Sequence, residues 1–453
     1  MESKNDPIDV SDRIDNSGFG NFHRLLIALC GACLIVDGFD VQAMSYVAPT
    51  LVQAWNIDKA SLGSVFGMAL VGMFLGSVIF SVVADRVGRR PVLILGCVTV
   101  GAFTLWTAVA TSVHELLVLR FITGLGLGAI IPNAIALATE YIPARMRIAL
   151  SMAVTAQFIL GALLGGLLSA VIIPVFGWRS VFIVGGLLPL VIAAIMYRWL
   201  PESARFLIVR KRNVRPVYQW LRQIDPNVPV LESRPLRVTD RVEKGTPIRL
   251  LFSEGRGVPT LLLWAISFLD LLVLYFMANW LPVLMSHAGH TAVVSVLAGT
   301  SLQAGGLVGA IALGLCYQRF GFAASLIPAL LAGTVGVALI GMAAASVPAV
   351  MTTIFVAGAG IVGTQAMLAV IAANYYPTAL RSTGIGWVSG IGRIGSIAGP
   401  VLGGFLLQLH WPLDRLFWTA ALGAALMTAL AIVLRACWRE RVHGSSASLA
   451  SMR

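Results

Sequence analysis

The composition of this 453-residue chain excludes a soluble globular protein, because 58% of its residues are hydrophobic and only 11% are charged, whereas soluble domains are about 25% charged. The formal net charge of +12 does not indicate nucleic-acid binding, because the basic residues fall mainly in alternate loops and in the tails. We therefore predict an integral membrane protein whose main surroundings are the lipid bilayer.

Apolar runs of about 20 residues, the length that crosses a bilayer, recur twelve times along the chain. Residues 1–23 precede them; they are polar, lack the order of a secretory leader, and are expected to form a flexible tail. The predicted spans are 24–50, 61–84, 91–111, 116–138, 148–172, 179–199, 258–284, 293–315, 323–345, 348–372, 384–408 and 413–436.

The distribution of basic residues predicts the orientation of the spans. Lys59, Arg179 and Arg415 lie in loops of one side, and most of the remaining lysines and arginines lie in the tails and the opposite loops. Cytoplasmic loops carry an excess of Lys and Arg, so both termini are predicted to be cytoplasmic.

The first span carries two acids, Asp37 and Asp40, near its middle. A carboxylate at the centre of a membrane helix costs about 2.5–3.5 kcal/mol on insertion scales. Their three-residue spacing places both on one helix face, where two buried carboxyls resist double ionisation. We predict that they take up and release a proton. The alternative is structural: one acid pairs with an arginine and the other fixes a bend at Gly38.

An internal repeat relates the two halves of the chain. Asp270 follows Asp37 by 233 residues, and Gly395 follows Gly161 by 234 residues. Two sets of six spans in the same orientation predict an all-α membrane fold of two six-helix bundles with a cavity between them near the midplane. The predicted divisions are a tail over 1–23, a bundle over 24–200, a connector with one or two short surface helices over 201–257, a bundle over 258–436 and a tail over 437–453.

Arg120 lies inside the fourth span, where a guanidinium needs a partner. Asp37 or Asp40 is the natural candidate, and snorkelling to the interface is the alternative. The nearby glycines at 124, 126 and 128 are interpreted as helix-packing positions, because no strand–turn–helix unit surrounds them to make a phosphate loop.

The second half offers side chains for an aromatic ligand. Tyr275, Asn279 and Trp280 combine rings with polar tips, although Trp280 is alternatively an interfacial anchor. Arg393 has the planar fork that binds a carboxylate bidentately, or else it pairs with Asp270. Two further polar side chains in the later spans are predicted to face the same cavity, Gln365 and Trp387.

These motifs resemble the major facilitator superfamily, through DRVGRR after the second span, RFITGLGLG in the fourth and PESARFL after the sixth. Within it, DGFD, PNAIAL, YFMANWLP, GTQAM and GIGRIG resemble the aromatic acid:proton symporters, which import benzoate, hydroxybenzoates and protocatechuate into bacteria. The resemblance implies a carrier that uses the proton as its coupling ion, and we expect a monomer in the bacterial inner membrane. No nucleophile triad, metal-ligand cluster or cofactor loop is visible in the sequence, so no enzymatic activity, metal or organic cofactor is expected.

The resemblance and the positions of residues in the predicted spans together assign three groups of residues. Proton coupling is assigned to Asp37, Asp40 and Arg120. Substrate contacts are assigned to Phe39, Asn133, Tyr275, Asn279, Trp280, Gln365, Trp387 and Arg393. Gating by loop charges is assigned to Asp85, Arg86, Gly88, Arg89, Arg90, Glu140 and Arg147.

Two positions depart from the family pattern. Gln318 stands in the second-half copy of the DRVGRR loop where an acid is common, which predicts a weaker clamp there. Asp270 stands where an apolar residue is expected; it adds a proton site, pairs with Arg393 or alters substrate choice. Export of drugs or aromatic products by proton exchange, and ligand sensing without transport, remain alternative functions.

Overall fold

The structure, a computed structural model, describes residues 7–224, 235–238, 248–377 and 380–450, and it is almost entirely helical. Among these residues, 12 helices are long and apolar enough to cross a membrane. The predicted multi-pass, all-α architecture is therefore confirmed. The rest of the predicted tails and connector, at 1–6, 225–234, 239–247 and 451–453, lies outside the described residues.

The elements follow the predicted order. Before the first span lie β1 (Ile8–Asp9) and α1 (Val10–Asp15). The first six spans are α2 (Asn21–Trp55), α3 (Lys59–Val87), α4 (Arg89–Thr107), α5 (Val113–Tyr141), α6 (Arg147–Phe176) and α7 (Arg179–Trp199). The connector contributes α8 (Ala204–Val209), α9 (Arg215–Ile224) and β2 (Leu236–Arg237). The last six spans are α10 (Gly257–His287), α11 (Ala292–Phe320), α12 (Phe322–Ala343), α13 (Val347–Tyr375), α14 (Arg381–Gln408) and α15 (Leu413–Ala450). Short 3-10 turns cover Ala144–Met146 and Ile248–Leu251.

Several helices extend beyond their apolar runs, because hydropathy marks only the part that crosses lipid. The first span was predicted over 24–50 and α2 covers Asn21–Trp55.

Helix ends are instead set by capping groups. At the start of α5, the Ser112 hydroxyl accepts the amide of Glu115 at 3.2 Å, while the Glu115 carboxylate accepts the amide of Thr111 at 3.0 Å, which satisfies two amides at the helix start.

The described chain forms two compact units. Unit 1 comprises Met1–Val41, Val71–Gly165 and Arg179–Val242, and unit 2 comprises Gln42–Leu70, Gly166–Trp178 and Glu243–Arg453. In unit 1, α4 packs against α5 and α7; in unit 2, α12 packs against α13 and α15. The units divide α2, α3 and α6 within their lengths, so the predicted bundle boundaries stay a prediction.

The repeat seen in the sequence reappears in the packing of each unit. In unit 1, a Cβ at Gly161 of α6 would overlap the carbonyl group of Ile35 in α2. In unit 2, a Cβ at Gly395 of α14 would overlap the carbonyl oxygen of Phe268 in α10. Gly395 and Phe268 occupy the repeat positions of Gly161 and Ile35. The predicted duplication is therefore visible as the same close helix contact made twice.

The N-terminal segment is ordered from its first described residues. β1 pairs with β2 in parallel, with Ile8 opposite Leu236, and α1 packs against α9. The Asp9 side chain caps α1 by accepting the amides of the residues that follow it, while Val10 and Ile14 are buried. The prediction of a flexible tail is wrong for residues 8–15, because this short segment finds its partners in the connector.

The close contact at Gly395 generates a stability prediction. Gly395→Ala is expected to destabilise the protein by about 1–3 kcal/mol, because the added methyl group meets backbone atoms that cannot move aside. Gly390→Ala, on the same helix, is the matched control: no atom lies within 4 Å of its added Cβ, so the better helix propensity of alanine leaves stability unchanged or raises it. Thermal unfolding of both purified variants in one detergent measures the difference, and equal melting temperatures would contradict it.

Candidate functional site

A buried ion pair joins the first and fourth spans inside unit 1. Asp40 is 2% exposed, and its Oδ2 lies 3.3 Å from a terminal nitrogen of Arg120. Its other oxygen, Oδ1, accepts a hydrogen bond of 2.6 Å from the Thr104 hydroxyl of α4. Both oxygens of this carboxylate are thus occupied, each by a different helix.

Arg120 makes further contacts that hold its guanidinium in place. One terminal nitrogen donates to the Thr107 hydroxyl at 2.8 Å and to the Thr123 hydroxyl at 3.5 Å. The Phe182 ring of α7 lies 5.3 Å from the guanidinium carbon, within the range of a cation–π contact. The predicted pairing of Arg120 with an intramembrane acid is confirmed, and Asp40 is that acid. Snorkelling is excluded, because the arginine is buried.

Asp37 lies one helical turn before Asp40 and is 0% exposed. Gly38, directly after Asp37, makes this burial possible: a Cβ there would overlap the carbonyl oxygen of Phe158, so α2 and α6 pack with their backbones in contact. Both acids therefore lie inside unit 1 and away from its lipid-facing surface, which their predicted role requires. Their part in proton coupling remains a prediction.

The predicted gating charges meet at the ends of α4, α5 and α7. Arg89 forms an ion pair of 2.5 Å with Glu140. A neighbouring acid, Glu202, accepts the amides of Arg89 at 2.9 Å and of Arg90 at 3.2 Å, and so caps α4. Gly88 precedes this helix with a φ of 108°, which L side chains rarely adopt. This φ angle explains why the residue is a glycine, and its part in gating stays a prediction.

The other gating residues lie around this cluster in unit 1. Arg147 forms an ion pair with Asp15 of α1. Asp85 and Arg86 are exposed, and the carbonyl of Asp85 accepts a hydrogen bond of 3.0 Å from Arg210. The part of the Asp85 side chain in the clamp stays a prediction.

Three predicted substrate residues of α10 are buried in unit 2. The Asn279 amide donates to the carbonyl of Tyr275 at 2.8 Å. Trp280 is 0% exposed; its indole nitrogen donates to the carbonyl of Pro400 at 2.9 Å, and its ring meets Phe66 edge-on at 5.4 Å. In this conformation Trp280 is a packing residue, neither an interfacial anchor nor part of an open cavity wall.

The remaining predicted substrate residues differ in exposure. The Phe39 ring is buried against Gly165 and Gly185 of unit 1, and the Asn133 amide donates to the carbonyl of Ala129 in its own helix at 2.8 Å. Both therefore serve packing in this conformation. By contrast, three residues of unit 2 remain wholly or partly accessible: Gln365, Trp387 and Arg393.

Asp270 is buried without compensation in unit 2. It is 0% exposed, and neither carboxyl oxygen has a hydrogen-bond partner among the described residues. The suggested pairing with Arg393 is therefore not observed as a hydrogen bond. An unpaired buried charge is strongly unfavourable, so this position departs from an ordinary apolar span, and its role stays a prediction.

Four residues that contact the Asp40–Arg120 pair or the start of α4 were not predicted. Thr104, Thr107 and Thr123 place hydroxyls on the ion pair, and Glu202 caps α4. The signal for the threonines is their polarity within apolar spans, but the sequence does not say which helices face each other. Glu202 is the acid of the PESARFL motif, and only the fold brings it to the amides of Arg89 and Arg90.

The described residues combine twelve helices of membrane-spanning length with a buried acid–arginine pair in unit 1, features typical of a multi-pass membrane carrier. A family model described as Major Facilitator Superfamily matches residues 30–340 and 297–451. The chain belongs to the major facilitator superfamily. Members of this superfamily are carriers rather than enzymes, which agrees with the prediction that this chain is not an enzyme.

Characterised relatives cover most of the chain. The 4-hydroxybenzoate transporter PcaK of Pseudomonas putida is 38% identical over 429 residues, which are 94% of this chain and 95% of the relative. A gallate transporter of the same species is 36% identical, with 94% and 95% covered. The benzoate transport protein of Acinetobacter baylyi is 32% identical, with 89% and 88% covered. The predicted resemblance to carriers of aromatic acids is confirmed.

Solved structures support the fold. A bacterial homologue of the human lysosomal transporter Spinster, in an inward-facing and unoccupied conformation, superimposes with a TM-score of 0.67. The match covers 93% of this chain and 97% of that chain at 15% sequence identity. At this identity the likeness concerns the fold alone, and it confirms the major facilitator architecture.

The buried ion pair predicts strong coupling between Asp40 and Arg120. Arg120→Met is expected to destabilise the protein by about 3–5 kcal/mol, because it leaves a buried carboxylate without its counter-charge. Asp40→Asn added to Arg120→Met removes that charge and should restore most of the lost stability. A double-mutant cycle of unfolding measurements in detergent gives the coupling energy; additive effects of the two substitutions would contradict the pairing.

The cap on α4 predicts a second stability effect. Glu202→Ala is expected to destabilise the protein by about 1–3 kcal/mol, because it leaves partly buried backbone amides without an acceptor. Glu115→Ala is the matched control, since Glu115 also accepts an amide near a helix start but at an exposed site, where water replaces the lost bond. Melting temperatures of both variants test this, and a loss for Glu115→Ala as large as that for Glu202→Ala would contradict it.

Proposed function

We propose that this chain imports a small aromatic carboxylate together with one or more protons, by alternating access across the bacterial cytoplasmic membrane. The observation that carries the proposal is the buried Asp40–Arg120 pair with Asp37 one turn away. The basic loops and tails support an orientation in which both termini are cytoplasmic.

The substrate class is supported by the relatives. They are named for 4-hydroxybenzoate, gallate and benzoate, and each of these is an aromatic ring that bears a carboxylate. The carboxylate is proposed to meet Arg393, whose fork suits it. The ring is proposed to lie near Tyr275 and Trp387, while Asn279 and Gln365 supply polar contacts for ring hydroxyls.

The proton site is supported by charge balance. When Asp37, Asp40 and Arg120 are all ionised, two negative charges face one positive charge in a buried region. One added proton balances them, and buried charges are favoured only when they are compensated. The Thr104 hydroxyl can bind Asp40 in both the ionised and the protonated state, because a hydroxyl that donates to a carboxylate can accept from a protonated carboxyl group.

Proton binding is proposed to be coupled to substrate transport because it changes which groups Arg120 contacts. In the ionised state the guanidinium is held by Asp40 and two threonine hydroxyls. A proton on Asp40 removes its attraction for Arg120, and the arginine then becomes available to a substrate anion or to a rearranged helix contact. A ligand drives a conformational change only by binding two states unequally, and this exchange of partners provides that inequality.

The charges at the ends of α4 and α5 are proposed to act as the gate. Arg89 and Glu140 form a half-buried ion pair, and Glu202 fixes the start of α4 beside it. Such a clamp holds helix ends together in one state and releases them in the other.

Transport measurements test the proposal directly. Purified full-length protein in liposomes with an alkaline interior is expected to accumulate radiolabelled 4-hydroxybenzoate, benzoate or gallate, and a protonophore should abolish accumulation. Accumulation that persists after both the pH and the voltage differences have been collapsed would contradict proton coupling. Efflux driven by the same gradient would indicate an exporter, and binding without flux would indicate a sensor.

Substitution of the acids tests their role in coupling. Asp37→Asn and Asp40→Asn are each expected to reduce gradient-driven accumulation to the background of empty liposomes, because the coupling proton has no site. Exchange of labelled for unlabelled substrate should survive better than accumulation, since exchange needs no net proton release. Asp12→Asn, which removes an exposed acid of α1, is the control and should transport normally. Undiminished accumulation by both span variants would refute the assignment.

A further inference from the structure

A groove with a volume of about 890 Å³ lies in unit 1, around the start of α4. Its walls come from α4, the end of α7 and the connector helices α8 and α9, and they include Ile94, Leu95 and Val98. At 1.5 Å per residue, Arg90 at its rim lies about 21 Å along α4 from Thr104. The groove is therefore separate from the buried acid–arginine cluster.

The apolar wall of this groove is continuous with the lipid-facing surface of the spans. Leu95 of α4 is 52% exposed and Tyr197 of α7 is 71% exposed. Trp199 follows at the end of the same span and is also exposed. Exposed Tyr and Trp at a span end mark the level of the lipid headgroups, so the groove lies where acyl chains meet headgroups.

The connector closes the polar end of the groove. Helix α9 buries Val217 and Leu221 on one face, at the i, i+4 spacing of an amphipathic helix. Trp220, next to this face, lines the groove and meets the Tyr141 ring edge-on at 6.2 Å. The connector is thereby fixed against the spans, with its arginines near the headgroup level.

The rim carries an excess of positive charge. Arg90 and Arg212 line the groove, and Glu202 is its one acidic lining residue. The Glu202 carboxylate already accepts the amides of Arg89, Arg90 and Ser203. One terminal nitrogen of Arg90 donates to the carbonyl of Tyr197, and the guanidinium lies over the Tyr197 ring at 5.8 Å, so its positive charge is held in place at the rim. Arg212 is exposed. In the described part of the chain neither arginine forms an ion pair with Glu202, so the rim keeps a positive charge that can attract an anion.

We infer that this groove binds an anionic glycerophospholipid of the surrounding leaflet, with its phosphate at Arg90 and Arg212 and an acyl chain along Ile94, Leu95 and Val98. Basic pockets beside membrane spans are typical sites for anionic headgroups. A zwitterionic lipid carries an ammonium group that offsets its phosphate, so it should bind less well. The site lies apart from the buried Asp40–Arg120 pair, although Arg90 also belongs to the predicted gating residues and Glu202 caps α4 beside them.

Native mass spectrometry of the full-length protein in detergent tests this inference. The protein is incubated with phosphatidylglycerol, with phosphatidylcholine of the same acyl chains, or with glycerol 3-phosphate. One phosphatidylglycerol per protein is expected to bind above the phosphatidylcholine background, and glycerol 3-phosphate should not displace it. Arg212→Gln should weaken binding about fivefold, and Arg90→Gln with Arg212→Gln about 30-fold, as expected for roughly equal contributions of two arginines.

Two further variants separate the groove from general effects. Leu95→Trp fills the apolar wall from an exposed position that leaves the core intact, and it should also lose the bound lipid. Arg24→Gln removes an exposed arginine at the start of α2, outside the groove lining, and should bind as the parent does. The inference is overturned if phosphatidylcholine binds equally well, if glycerol 3-phosphate displaces the lipid, or if the double arginine variant and Leu95→Trp both bind like the parent.

Discussion

The ion pair between Asp40 and Arg120 is the constraint on which the first half of this protein depends. Two opposite charges inside a membrane span are tolerated only when each finds its partners within the protein. The surrounding residues meet that requirement: Thr104 occupies the second oxygen of Asp40, while Thr107 and the Phe182 ring hold Arg120. Helices α2, α4, α5 and α7 must therefore keep their relative positions for the charges to remain satisfied.

Duplication gave both halves the same packing but not the same chemistry. The close glycine contacts of α6 on α2 recur between α14 and α10. Yet the repeat positions of Asp40 and Arg120 are taken by Val273 and Ile354, both of which are fully buried. The second half keeps the shape of the scaffold and fills the site of the ion pair with apolar side chains. The two halves therefore differ chemically: the first holds the buried ion pair, and the second holds the predicted substrate arginine, Arg393.

The sequence was sufficient for those features that depend on composition along one helix. Apolar length predicted every span, and the repeat offset of 233–234 residues predicted the repeated contact that Gly161 and Gly395 make. Where a site needs two or more helices, prediction stopped short. Arg120 required an acid, but only the fold selects Asp40, because the rotation of α2 relative to α5 decides which carboxylate faces the guanidinium. Trp280 shows the same limit: a ring with a polar tip suits a cavity, but packing against Phe66 and Pro400 buries it.

Two kinds of helix contact have different consequences for movement. Pro282 has no amide hydrogen and leaves the carbonyl of Ala278 without its helical donor; the Ser45 hydroxyl donates to that carbonyl instead, at 2.7 Å. Ser45 and Ala278 occupy equivalent repeat positions, so the two copies of one segment meet at a site where the helix ladder is interrupted. A hydroxyl can exchange its carbonyl for water or another acceptor without leaving a buried group unsatisfied.

The glycine contact of Gly161 with Ile35 has no such replacement, because separating the backbones opens a void. The proposed alternating access therefore requires that the contact of Ser45 with Ala278, one turn before Pro282, open while the helix pairs packed through glycines move as rigid bodies.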